Sequence, residues 1–112
     1  MYTDTSSEVD PDRFIIEVVH CKRDPDSIYI GRGSVLGNPY PMRSEDDRDL
    51  VCDQYEEYFQ QKIEERDEEF MEEIARLVES AYVNGYVRVG CFCAPRRCHG
   101  DTVARFLNTI LN

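Results

Sequence analysis

The apolar residues of this chain change period along its length, and each change marks an element. Phe14–Val19 (FIIEVV) is β-branched and almost continuously apolar, the pattern of a strand covered on both faces. Ser27–Ile30 (SIYI) is a second, shorter run that ends at Gly31. Tyr86–Cys93 (YVRVGCFC) alternates with period two, placing Val87, Val89, Cys91 and Cys93 on one side and Tyr86, Arg88 and Phe92 on the other. Between the second and third runs the period is helical. Val51, Tyr55, Tyr58, Phe59 and Ile63, with the stem of Lys62, share one face of a helix that Ser44 begins, with Asp47 as its capping-box partner. Phe70, Ile74, Leu77, Val78 and Ala81 share one face of another, capped by Asp67 and ended by Asn84-Gly85. One long helix fits the same residues, because Ile63 and Phe70 are a heptad apart. A last stripe, Val103, Phe106, Leu107, Ile110 and Leu111, follows a start near His99–Asp101. Helices are thus predicted near 45–64, 68–83 and 100–111.

These elements predict one α/β domain over residues 13–112 with a short mixed sheet of about three strands. Residues 1–12 are polar, carry Pro11 and read as a flexible tail. Only seven residues, Cys21–Ser27, separate the first two strands, fewer than a parallel crossover uses, so an antiparallel pair is expected there. The 40-odd residues between the second and third strands form a parallel crossover, which brings both carboxyl ends to one edge. Ligands of open α/β sheets bind at that edge. The loops that meet there, Gly31–Tyr40 (GRGSVLGNPY) and Cys91–Asp101 (CFCAPRRCHGD), are the least ordinary segments of the chain.

Charge sharpens this picture. The 112 residues carry 23 acidic and 13 basic side chains, net −10. Residues 44–79 hold 15 of those acids and four bases, so the acidity is concentrated on the two middle helices and the rest is near neutral. An acidic face argues against direct nucleic-acid binding. The two loops, the first taken on to Arg43, in contrast hold Arg32, Arg43, Arg96 and Arg97 against one acid, Asp101. No apolar run is long enough to span a membrane. Five cysteines, an odd number, behind a polar amino terminus suit a reducing cytoplasm, the host's if the gene is viral.

In the first loop, Gly31, Gly33 and Gly37 let backbone amides approach an oxyanion, Arg32 adds charge, and Ser34 and Asn38 add polar groups for orientation. In the second, Cys98 and His99 stand at a helix amino terminus beside Arg96 and Arg97, a setting expected to lower the Cys98 pKa. Cys98, His99 and Asp101 are the candidate catalytic residues, with Asp101 the only local carboxylate for proton transfer. Zinc is a rival cofactor, with Cys91, Cys93, Cys98 and His99 as its ligands. Strand geometry opposes it, since positions i and i+2 are roughly 6.6 Å apart. Inert buried thiols at Cys91 and Cys93 are the plain alternative. Cys21 and Cys52 read as packing residues, and His20 as an edge histidine.

With these residues in view, the chain resembles a family of small phage, bacterial and archaeal proteins of unknown function. The likeness rests on Tyr29–Pro39 (YIGRGSVLGNP) and Cys91–Asp101 (CFCAPRRCHGD), and Tyr55–Tyr58 (YEEY) looks like that family's first helix. It implies that Gly31, Arg32, Gly37, Asn38, Pro39, Cys91, Cys93, Cys98, His99, Gly100 and Asp101 are shared positions, and it implies no reaction. A looser likeness to Rossmann-like nucleotide and nucleotide-sugar binding domains implies a three-layer arrangement, although three strands are too few for a full doubly wound sheet. Two functions are expected from these readings. One is binding or processing of a small anionic ligand, a phosphorylated nucleoside, nucleotide or sugar, between the two loops. The other is a non-catalytic viral or mobile-element protein whose acidic helices hold a host protein, its Cys/His loop a structural staple.

Overall fold

The computed structural model describes residues 13–112, so the reading of 1–12 as a tail lies outside the described residues. Its strands are β1 (Ile15–His20), β2 (Ile28–Tyr29) and β3 (Tyr86–Cys91), and its helices α1 (Arg48–Glu65), α2 (Glu68–Asn84) and α3 (Gly100–Leu111). A 3-10 turn, Glu45–Asp47, leads into α1, and Ser44 makes no side-chain cap there.

The sheet has the order β1-β3-β2, and both flanking strands run parallel to β3. The sheet is therefore wholly parallel, not mixed, and β1 and β2 are not a hairpin. The short link suffices because β2 starts almost where β1 stops. His20 pairs with Cys91 on one side of β3, and Ile28 pairs with Val89 on the other. The chain steps back only two residues along β3, roughly 6.6 Å, while crossing to the far side. It crosses at Gly90, where an added Cβ would overlap Ser27 and stand 3.1 Å from the Cys21 Cβ. Glycine at 90 is what lets the link pass.

α1 and α2 are two helices. Arg66 adopts a left-handed conformation (φ 55°), and the amides of Arg66 and Asp67 return to the carbonyls of Ile63 and Lys62, closing α1. Asp67 then accepts the Phe70 amide at 3.0 Å and opens α2. The predicted stripes meet in one core: Tyr55 and Phe59 from α1, Phe70, Ile74 and Leu77 from α2, and Val103 and Leu107 from α3, over Val87 and Val89. Each such large side chain contributes about 1.5–3 kcal/mol when fully buried.

The helices contact one another around that core and cover one face of the sheet. The opposite face carries exposed Ile15 and Tyr86 and the Arg88–Glu17 ion pair at 3.1 Å. The domain thus has two layers where three were expected, and β1 is covered on one side only. Tyr86–Cys91 keeps the predicted alternation, but β3 ends two residues early, and Phe92 and Cys93 already belong to the loop.

Candidate functional site

Parallel strands put the ends of β2 and β3 at one edge, and a cleft of about 280 Å³ opens between the loops that follow them. Gly31, Arg32 and Asn38 line it from the first loop; Cys91, Cys93, Cys98 and His99 line it from the second. Tyr29 and Phe92 stand at its wall with 39% and 53% of their surface exposed, their ring centroids 6.0 Å apart. Met42, with Arg48, Val51 and Cys52 of α1, completes the lining.

The first loop is held by its own polar groups. Ser34 N–H donates to the Gly31 carbonyl at 3.1 Å and Gly37 N–H to the Ser34 carbonyl at 3.0 Å, while the Ser34 hydroxyl donates to Gly31 at 2.6 Å. The Ser34 and Gly37 amides are thus committed to the loop, and of the three glycines only Gly31 lines the cleft; Ser34 does not. A Cβ at Gly31 would meet the outer end of the Tyr29 ring, and one at Gly37 would run into the backbone carbonyl of Gly31. Asn38 is buried: its Nδ2 donates to the Val51 carbonyl at 3.1 Å, and its Oδ1 accepts the Tyr40 amide at 2.9 Å. Arg32 donates to the carbonyls of Asn38 (2.6 Å) and Tyr40 (2.8 Å). Arg32 is thus a clamp of the loop as well as a cationic wall of the cleft.

The second loop departs further from expectation. Arg97 is turned onto α1, paired with Asp49 at 2.9 Å and Asp53 at 2.8 Å, and Arg96 pairs with Glu45 at 3.3 Å. Neither lines the cleft. Asp101 accepts the Cys98 amide at 3.3 Å, just ahead of α3, and does not line the cleft. His99 is buried, its Nε2 2.5 Å from the Ile30 carbonyl and its ring edge-on to Tyr55. A carbonyl only accepts, so Nε2 carries the proton. Burial holds the pKa of His99 below its ordinary value; the Ile30 bond opposes this and the Arg32 charge adds to it.

The sulfurs of Cys91 and Cys98 are 3.0 Å apart. The hydrogen bond from Cys98 lowers the Cys91 pKa to about 6, against burial and with help from the Cys93 and Ala94 backbone. The same bond and burial push Cys98 up. The lowered pKa thus belongs to the Cys91–Cys98 pair, in which one sulfur stabilises the other as thiolate, and not to Cys98 by itself. The Gly100 amide at the start of α3 does pull Cys98 down, but the bond to Cys91 and burial outweigh it. Among the described residues no group of three or more His, Cys, Asp or Glu side chains is gathered as metal ligands, so Cys91, Cys93, Cys98 and His99 do not converge as a zinc set.

Two contributors escaped the sequence reading. Arg48, placed with the acidic helical face, enters the cleft, and its Nη1 donates to the Arg97 carbonyl at 2.7 Å. Glu45 first, then the Cys93 sulfur, hold its guanidinium charged. Tyr55, read as core, is fully buried and donates its hydroxyl to the Leu36 carbonyl at 2.7 Å, pinning the first loop to α1. A basic residue opening an acidic helix was the available signal for Arg48; nothing local marked Tyr55.

No helix among the described residues is long and apolar enough to cross a membrane. A family model described as Domain of unknown function (DUF4326) matches residues 17–109. No curated protein and no solved structure matches the chain.

Proposed function

Because the chain belongs to this family of unknown function, its reading rests on its own cleft, and we propose that the cleft binds a small phosphorylated nucleoside, nucleotide or sugar. One observation carries the proposal: exposed Tyr29 and Phe92 share a cleft with the guanidinium groups of Arg32 and Arg48. Exposed aromatic faces suit a flat base or a sugar ring, and arginines suit phosphate. The volume, about 280 Å³, falls just below the usual range of ligand pockets, roughly 300–1,000 Å³. A mononucleotide or sugar phosphate fits that scale better than a dinucleotide. His99 with an unprotonated Nδ1 and Cys93 beside Arg48 are the groups left for chemistry on such a ligand; Asp101 is not. Reduced thiols in the cleft suit a cytoplasmic setting.

The alternative, a host-protein module using the acidic helices, draws less support. Part of that acidity is neutralised within the chain, since Arg97 and Arg105 pair with Asp49, Asp53 and Glu56.

Isothermal titration of nucleoside monophosphates and sugar phosphates against wild type and Met42→Trp tests the proposal. Met42 lines the cleft, so the larger ring should block it and abolish heat from any compound that binds there. Arg48→Ala should weaken the same compound by roughly ten-fold, one charge-assisted bond. Absence of any binder, or binding that survives Met42→Trp, overturns the reading.

A further inference from the structure

We propose that Cys91 and Cys98 are a redox-active dithiol at the floor of the cleft, closed to a disulfide by a small hydroperoxide. Their sulfurs lie 3.0 Å apart, and a disulfide bond is about 2.05 Å, so closure needs about 1 Å of relative movement. Cys91 ends β3 and Cys98 sits two residues before α3, so two regular elements hold the pair in register. Both line the cleft, yet they are only 1% and 3% exposed. That burial admits hydrogen peroxide and excludes bulky disulfides. Cys93 lines the same cleft and is more exposed, which makes it the competing partner.

The chemistry balances in two steps. The Cys91 thiolate attacks one oxygen of the hydroperoxide, the O–O bond breaks, and the departing oxygen takes a proton to leave as alcohol or water. Cys91 becomes a sulfenic acid. The Cys98 sulfur then attacks the Cys91 sulfur and loses its proton, and the S–O bond breaks to release water. Two thiols and one hydroperoxide give one disulfide, one alcohol and one water, with two electrons moved to the peroxide. The new bond joins the end of β3 to the start of α3 beneath the cleft, so the oxidation state changes the floor on which a ligand would rest.

The test uses reduced full-length protein, about one equivalent of hydrogen peroxide, alkylation of remaining thiols, and peptide mapping. Trypsin cuts after Arg88, Arg96 and Arg97, which leaves Cys91 and Cys93 on one peptide and Cys98 on another; fragmentation of the linked pair then shows which of the first two is bonded and which is alkylated. The expected result is that linked pair, forming roughly ten-fold faster than oxidation of Cys52 and reversed by dithiothreitol. In Cys98→Ser, Cys91 should instead be trapped as a sulfenic acid by dimedone. A Cys91–Cys93 or Cys93–Cys98 bond, oxidation of Cys52 at the same rate, or no disulfide in wild type overturns the proposal. No ligand is present in this experiment, so its outcome is independent of what the cleft binds.

Discussion

Arg48, at the first position of α1, donates its Nη1 to the backbone carbonyl of Arg97 at 2.7 Å, and so ties the acidic helix to the cysteine loop across 49 residues. The bond explains how a loop with little secondary structure keeps a defined position over the cleft. Arg97 reinforces it by reaching back to Asp49 and Asp53 on the same helix.

Arg48→Ala should therefore cost about 1.5–3 kcal/mol, the scale of a hydrogen bond to a charged group. Amide exchange in residues 92–99 should rise while that of the α2 core does not. A variant with wild-type exchange in that loop would show that Arg48 does not hold it.

Gly90→Ala should destabilise the domain by more than about 2 kcal/mol, since the added methyl meets the link between β1 and β2. Ser27→Gly in the same chain should recover part of the loss, because Ser27 is the nearest obstacle. Denaturant melts of the two variants decide it. Equal stability of Gly90→Ala and wild type would contradict the crossing at Gly90.

Stability should fall as pH drops below about 6.5 through His99. The folded pKa is depressed, so between the two pKa values the unfolded chain binds a proton that the native state refuses. The contribution is full above the ordinary value of 6.5 and is lost toward the folded one. His99→Gln keeps an N–H donor for the Ile30 carbonyl and removes the titration. Its melting temperature should change less than that of wild type between pH 7 and pH 5.

The Cys91–Cys98 pair should titrate unevenly. Thiolate absorbance should show one cysteine ionising near pH 6, and Cys98→Ala should raise that midpoint by more than about one unit by removing the main donor. Cys91 adds stability as pH rises from about 6 toward 9, where only the unfolded thiol is protonated. Above 9 the sign turns, because Cys98 keeps its proton when folded and loses it when unfolded. A wild-type midpoint unchanged in Cys98→Ala would refute the pairing.

Helix placement was legible in the sequence because amphipathic spacing and caps are local. Asp67, Gly85 and the stripe through Phe70, Ile74 and Leu77 all act within a few residues, and α2 and α3 end within one residue of their predicted limits. The convergence of Gly31–Tyr40 and Cys91–Asp101 was also legible, since a long helical crossover forces parallel strands and a shared edge. Strand partners were not. Link length excluded a full crossover between β1 and β2, but only the fold shows that β2 is two residues long and that β3 lies between them. Side-chain roles at the site depended on partners far along the chain. Cys98 shares its proton with Cys91 because their sulfurs touch, Asp101 takes the Cys98 amide, Arg96 turns to Glu45 ahead of α1, and Arg97 turns to Asp49 and Asp53 on α1. Arg48 enters the cleft instead. Local spacing determines which residues share a helix face or a strand edge; which charges and thiols then meet is set by packing between elements, where one strong partner outweighs a composition of many.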